Sequence, residues 1–236
     1  MPDLLTPSLT FPDPSDLADL RTFAIRAKSI DDGAIRLQAS GSVLAAYVCV
    51  LRPRILGEAT PTVLGLRTVA LARPSATDVT VPIGAVLDRL ARAGADDVDL
   101  PVPPSTVTES WTGVSAPRSG WVHVGTLADA ALRTAAQAGM AEVAAAVPDN
   151  PGTLLVNNIR ATVWGRPLSI SDGSQPGMDG ADGDYDAAGG LPAGAAFAAL
   201  TLGFLADGEQ NVYRAGRWFR LSGQRGHVLA RTGTGL

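Results

Sequence analysis

The run SVLAAYVCVL, residues 42–51, constrains the fold more than any other part of the sequence. It is continuously apolar and rich in valine, which is typical of a central strand buried on both faces. AIRLQ (34–38) precedes it with alternating polarity, TPTVLGLRTVALA (60–72) follows it, and DVTVP (78–82) is a short fourth run. We expect the first two runs to pair as a hairpin opened by Gly41. This part of the chain therefore predicts an antiparallel sheet.

Segments with helical spacing of apolar residues flank the predicted strands and dominate the second half of the chain. They are DLADLRTFAIRAKSI (16–30), 83–94, about 127–147, 153–165 and 192–206. Aromatic residues make up only 5% of the chain while apolar residues make up 46%, so small aliphatic side chains must build most of the core. We therefore predict an α+β fold. It has an N-terminal antiparallel sheet with flanking helices and a helical C-terminal half that ends in a β-hairpin.

The segment 96–120 carries four prolines and few periodic apolar positions, which is typical of a linker or an ordered irregular loop. It divides the chain into an α+β subdomain at 1–95 and a helical subdomain at 121–236. Because only composition marks the division, one continuous domain with a shared core is the alternative.

The C-terminal stretch 211–236 holds five arginines and no carboxylate, whereas residues 94–210 hold four basic and fourteen acidic side chains. We read it as a hairpin with strands at 212–221 and 227–231. In an extended 212–221 strand, Arg214, Trp218 and Arg220 share one face. Cations beside an aromatic ring are typical of phosphate contact and base stacking. The hypothetical partner- or nucleic-acid-binding residues are Arg214, Arg217, Trp218, Arg220, Arg225 and Arg231. The alternative is that these arginines pair with the protein's own carboxylates.

A second candidate site lies in GVSAPRSGWVHV, residues 113–124. An arginine with two hydroxyls beside a glycine turn is able to hold an anion, and Trp121 and His123 fall on one strand face. The hypothetical anion- or ligand-binding residues are Ser115, Arg118, Ser119, Trp121 and His123. The alternative is that Ser, Pro and Gly serve turn geometry alone in this segment.

No catalytic or metal-binding pattern accompanies these residues, and we expect neither a cofactor nor a metal site. The chain has two histidines and one cysteine, and Cys49 falls inside the valine-rich run, where it is typical of a small core residue. Asp182, Asp184 and Asp186 have the first spacing of a calcium loop, but the positions that should hold glycine and glutamate are alanines.

A single cysteine excludes an intrachain disulfide, the N-terminus lacks the features of a signal peptide, and the longest apolar run, 191–206, is short for a membrane span. These features predict a cytoplasmic location. The abundance of alanine, glycine and arginine is typical of a high-GC bacterial genome.

Three functional hypotheses follow, of which the first is favoured. It is a non-catalytic binding or regulatory protein that acts through protein–protein contact or self-association, because charge segregation favours oriented docking. The second is nucleic-acid binding through the C-terminal hairpin. The third is an enzyme or small-ligand binder with an anion site at 115–123.

Overall fold

The computed structural model describes residues 7–55, 57–146, 152–170 and 190–233. Within them the chain forms nine strands and five α-helices, which confirms the predicted α+β class. The strands are β1 (Ser8–Thr10), β2 (Ala34–Leu51), β3 (Thr62–Ser75), β4 (Asp78–Pro82), β5 (Asp99–Pro101), β6 (Val122–Ala128), β7 (Glu209–Ala215), β8 (Trp218–Gly223) and β9 (Gly226–Arg231). The helices are α1 (Pro14–Ile30), α2 (Ile83–Leu90), α3 (Asp129–Ala146), α4 (Thr153–Gly165) and α5 (Gly194–Thr201).

The chain divides into two compact units, and neither is one continuous segment. The first comprises 1–49 and 66–115, and the second comprises 50–65 and 116–236. The division into 1–95 and 121–236 drawn from composition stays a prediction.

In the first unit, β4, β2 and β3 are neighbours in that order, and α1 packs against α2. The predicted hairpin around Gly41 is wrong, because β2 runs unbroken from Ala34 to Leu51 and Gly41 only adopts a positive φ of 61° within it. The proline-rich segment is ordered as well: β5 pairs with β1, and Trp111 in a 3₁₀ turn is buried. Helix α1 begins with a capping box in which Asp13 accepts from Ser15 N–H and Asp16 accepts from Asp13 N–H.

In the second unit, the strand order is β3, β9, β8, β7, β6, with β3 contributing its first residues. The helices of this unit pack through very small residues. A side-chain carbon at Gly139 of α3 would overlap the indole of Trp164 in α4, and that indole stacks on Phe197 of α5 with 4.7 Å between ring centroids. A core with few aromatic residues thus gains close helix contact from glycine and alanine.

The C-terminal strands differ from the predicted hairpin. The segment 212–221 is two strands, because the chain reverses at Gly216 and Arg217, where Gly216 has a φ of 56°. Ala215 consequently pairs with Trp218 across a two-residue turn, and β7, β8 and β9 form an antiparallel meander.

Candidate functional site

The reversal at Gly216 changes which C-terminal side chains share a face. Residues opposite each other in an antiparallel pair project to the same side. Arg220 lies opposite Tyr213, and Arg214 lies opposite Phe219. The predicted face of Arg214, Trp218 and Arg220 is therefore wrong for Arg214, which lies on the other side with the buried Phe219.

Arg220 lies among aromatic rings on the side that it shares with Tyr213. Its guanidinium carbon is 4.6 Å from the ring centroid of Tyr213 and 4.8 Å from that of Trp121. His123 meets the Tyr213 ring edge-on at 5.3 Å between centroids. Cation–π attraction and ring packing hold these groups together. We call Trp121, His123, Tyr213, Arg220 and Ser222 the Arg220 cluster.

Hydrogen bonds to residues outside the cluster hold two of its rings, those of Trp121 and His123. Trp121 Nε1 donates to the carbonyl oxygen of Pro117 at 3.0 Å, and His123 Nε2 lies 3.2 Å from Oδ1 of Asn211. With Nε2 assigned as the protonated nitrogen, His123 donates this bond. Trp121 is thus held by the segment that precedes β6, and His123 is held by the neighbouring strand β7.

Two polar atoms of the cluster are buried and have no hydrogen-bond partner in the part of the chain that the structure describes. They are Nε of Arg220 and Oγ of Ser222, two residues along β8 on the same face. Across the neighbouring strands, Ser222 lies opposite Asn211 and His227. Buried polar groups are nearly always paired, so these two atoms are exceptions among the buried polar atoms of the described residues.

The other tail residues predicted to bind a partner are not among the five that define the cluster. Arg217 is exposed in the turn, Arg214 Nε donates to the carbonyl oxygen of Gly216 at 3.1 Å, and Arg225 Nη1 donates to that of Leu205 at 3.2 Å. Trp218 is buried opposite Ala215 and Arg231. These residues stay predictions as binding groups.

The two candidate sites seen in the sequence overlap in the structure. Trp121 and His123 from one set join the cluster around Arg220 from the other. Ser115, Arg118 and Ser119 are exposed and form no hydrogen bond with the cluster within the described residues. Sequence reasoning missed Tyr213 and Ser222. In one extended strand Tyr213 would lie on the face opposite Arg220, and the reversal at Gly216 brings the two side chains to the same side.

The calcium-like aspartates Asp182, Asp184 and Asp186 lie outside the described residues. Within those residues, no helix is long and apolar enough to span a membrane.

Two family models match the sequence. Residues 116–235 match the family described as a domain of unknown function, DUF8185, and residues 5–113 match another domain of unknown function, DUF8010. No curated protein matches the chain.

The fold is similar to solved structures of bacterial sliding clamps. The sliding clamp (DNA polymerase III subunit beta) from Bartonella birtlesii has a TM-score of 0.52 at 12% identity and aligns with 97% of this chain. The polymerase III beta protein of Caulobacter crescentus gives 0.51 at 12% over 98%, and the Pseudomonas aeruginosa sliding clamp gives 0.52 at 15% over 97%. This chain spans 65%, 66% and 65% of those chains, respectively. At such identities the likeness establishes the fold alone.

Proposed function

We propose that this chain, which belongs to the family described as domain of unknown function DUF8185, is a non-catalytic protein that acts through protein–protein contact or self-association. The observation that carries the proposal is the fold likeness to proteins described as sliding clamps, which extends over 97% of the chain. Those proteins are described as a sliding clamp that is a subunit of DNA polymerase III, and a subunit works in contact with other proteins. We extend only the general role of protein–protein contact to this chain and name no particular partner.

Charge distribution supports a docking role. Strands β7 to β9 and their turns carry Arg214, Arg217, Arg220, Arg225 and Arg231, with one carboxylate at Glu209, while the whole chain has a net charge of −4. A segregated charge of this kind orients a partner during encounter and raises the association rate at low salt.

Strand β6 supplies a surface suited to self-association. It is the terminal strand of its sheet, and Val122 at its start is 66% exposed. By contrast, the backbone N–H of Val107 donates to the carbonyl oxygen of Thr80 in β4, the terminal strand in the first unit. A terminal strand with unpaired backbone groups is a template for pairing with another chain. The register shift between His123 and Gly125 divides β6 into two stretches, and Val122 lies in the first of them.

Sedimentation velocity over a range of protein concentrations tests this proposal. We expect a concentration-dependent dimer or higher oligomer that is weakened by Val122→Lys, because a charge at the strand edge opposes pairing. Val107→Lys is the matched control, since Val107 is exposed to 38% and is not part of β6. A wild-type chain that stays monomeric at all concentrations and retains no partner in a pull-down would count against the proposal.

Nucleic-acid association is the second candidate. The descriptions of the similar structures as DNA polymerase subunits favour it, together with the arginines of β7 to β9. The Arg214, Arg217 and Arg220 triple alanine variant is expected to bind DNA or RNA more weakly and with a shallower salt dependence. Failure of the wild-type chain to retain either nucleic acid at low salt would exclude this candidate.

The cytoplasmic location stays a prediction that rests on the single Cys49.

A further inference from the structure

The Arg220 cluster presents hydrogen-bond donors that the described protein does not use. Nε of an arginine is always a donor, and a serine hydroxyl is able to donate as well. Both Nε of Arg220 and Oγ of Ser222 are buried without a partner, and successive residues on one strand face are about 7 Å apart along the backbone. Two side chains at that spacing are able to converge on one group that lies between them.

We propose that Arg220 and Ser222 bind the phosphate group of a nucleotide, with the neighbouring rings contacting its base. The inference goes beyond the proposed protein–protein role, and neither depends on the other. A phosphate offers enough oxygens to accept from the guanidinium edge and from the hydroxyl at once. The rings of Tyr213 and Trp121 lie along the guanidinium, so its N–H edges are the parts left for the anion.

The electrostatics of the four strands favour an anionic ligand. Strand β6 holds no charged residue, and β7 to β9 with their turns hold five arginines against Glu209. Glu209 is the first residue of β7 and is exposed, so it lies at the end of the sheet rather than opposite Arg220, whose partners are Tyr213 and Leu229. No carboxylate in these strands therefore lies directly across from the proposed phosphate position.

The aromatic groups favour a nucleotide over an acidic peptide. A sheet face with aromatic rings beside arginine is used to stack bases, whereas an extended peptide binds chiefly to a free strand edge. His123 is exposed at the edge of Tyr213, and Asn211 beside it carries an amide that is able to read a base edge. Arg220 and Ser222 belong to β8, which is flanked by β7 and β9 rather than lying at the edge.

Hydrogen bonds within the protein hold two rings of the proposed site. They are the bond from Trp121 Nε1 to Pro117 and the contact of His123 with Asn211. Groups that are already ordered lose less conformational entropy on binding, which favours affinity. Because Nε of Arg220 and Oγ of Ser222 are buried, we expect binding to shift neighbouring side chains but not the strands.

Fluorescence titration of the full chain with three probes tests the proposal, with Trp121 as a reporter beside Arg220. The probes are inorganic phosphate, adenosine 5′-monophosphate and a short single-stranded oligothymidylate. We expect saturable binding of a nucleotide probe that Arg220→Ala weakens by about tenfold or more, since a hydrogen bond to a charged group is lost. Ser222→Ala is expected to weaken binding less, because a neutral donor is removed.

Arg92→Ala is the matched control, because it removes the same charge from an exposed position that belongs to no proposed binding site. Arg220→Lys keeps the charge but lacks the Nε donor and the planar guanidinium. We therefore expect it to bind the nucleotide about as weakly as Arg220→Ala. Thermal melting of each variant separates lost binding from lost folding, and Arg220→Lys provides the test if Arg220→Ala does not fold.

Saturation by the mononucleotide identifies a free nucleotide as the source of the phosphate, and binding of the oligothymidylate alone identifies a nucleic-acid strand. An equal loss in Arg92→Ala and Arg220→Ala would overturn the inference, since it would reflect overall charge. Affinity retained by folded Arg220→Ala, absence of binding by all three probes, or binding of an acidic peptide in their place would overturn it as well.

Discussion

Asp129, the first residue of α3, is a buried carboxylate that joins three parts of the second unit. It is 2% exposed and accepts hydrogen bonds from Ala206 N–H and from Gln210 Nε2, both at 2.7 Å. Its own N–H donates to the carbonyl oxygen of Gly208. The start of α3 is thereby tied to the connection between α5 and β7.

We predict that Asp129→Asn lowers the free energy of unfolding by about 1–3 kcal/mol. Both partners of the side chain are hydrogen-bond donors, and the NH₂ group of asparagine would face one of them, so that one hydrogen bond is lost. Urea denaturation at neutral pH measures the change. Asp96→Asn is the control, since Asp96 is exposed and a surface change of this kind usually shifts stability by less than about 0.5 kcal/mol. Equal losses in the two variants would contradict this role for Asp129.

Glu58 gives the chain a dependence on acidic pH. Burial acts to raise the pKa of Glu58, but hydrogen bonds from the Thr60 hydroxyl and from the N–H groups of Arg54 and Ile55 outweigh it and hold this pKa below its usual value. A carboxyl whose pKa is lower in the folded state stabilises the fold above its unfolded pKa, about 4.3. That stabilisation is lost as the pH falls through the folded pKa.

We therefore predict that the wild-type chain and Glu58→Gln differ in urea midpoint at pH 7, and that this difference shrinks as the pH is lowered below about 4. Denaturation curves at several pH values check it. A difference that stays constant down to pH about 3 would show that the Glu58 charge does not stabilise this loop.

At the scale of elements, the turn between β7 and β8 decides the arrangement of the C-terminal sheet. Gly216 adopts a φ of 56°, which costs a residue with a side chain about 1–2 kcal/mol. We predict that Gly216→Ala lowers the free energy of unfolding by about that amount. Gly165→Ala is the control, because Gly165 has open space around it and no positive φ; a loss of the same size there would contradict the argument.

Periodicity predicted those elements whose ends carry a clear signal. β4 at 78–82 and α4 at 153–165 have the predicted bounds, and α1 begins near the predicted residue because proline and aspartate mark its start. The turn at Gly216 was missed because its Gly-Arg pair interrupts a run of Tyr, Trp and Phe that favours strand on both sides. At Gly41 the sequence predicts a turn that the structure does not contain, because a glycine within a strand does not need to end that strand.

The Arg220 cluster shows that local sequence patterns also predict only part of a site. Trp121, His123 and Arg220 were singled out from local composition, but they are far apart in sequence, and pairing of β6 with β7 and of β7 with β8 brings them together. No local pattern specifies which strands are neighbours. The pairing of Arg220 with Tyr213 required the register of the sheet.

At the scale of the whole molecule, the segment 50–65 belongs to the second unit although the chain around it belongs to the first. Side-chain carbons added at Gly194 would contact Leu51 and Val63, so these two residues pack directly against the start of α5. A fragment of 116–236 lacks them and loses part of its core.

We predict that the 116–236 fragment, expressed alone, melts less cooperatively and at a lower temperature than the full chain, because removing buried aliphatic groups costs about 1–3 kcal/mol each. Calorimetry measures both properties, and co-expression with 1–115 is expected to restore them. A fragment that melts as sharply as the full chain and at a comparable temperature would contradict a structural contribution of 50–65.

The backbone passes between the units at 49/50, 65/66 and 115/116. A gene recombined at the last of these points alone would therefore transfer the C-terminal part without the strand residues that complete its core. Exchange of either half as an independent cassette should be rare in this lineage, and inheritance of the two halves together is the pattern that genome comparison should find.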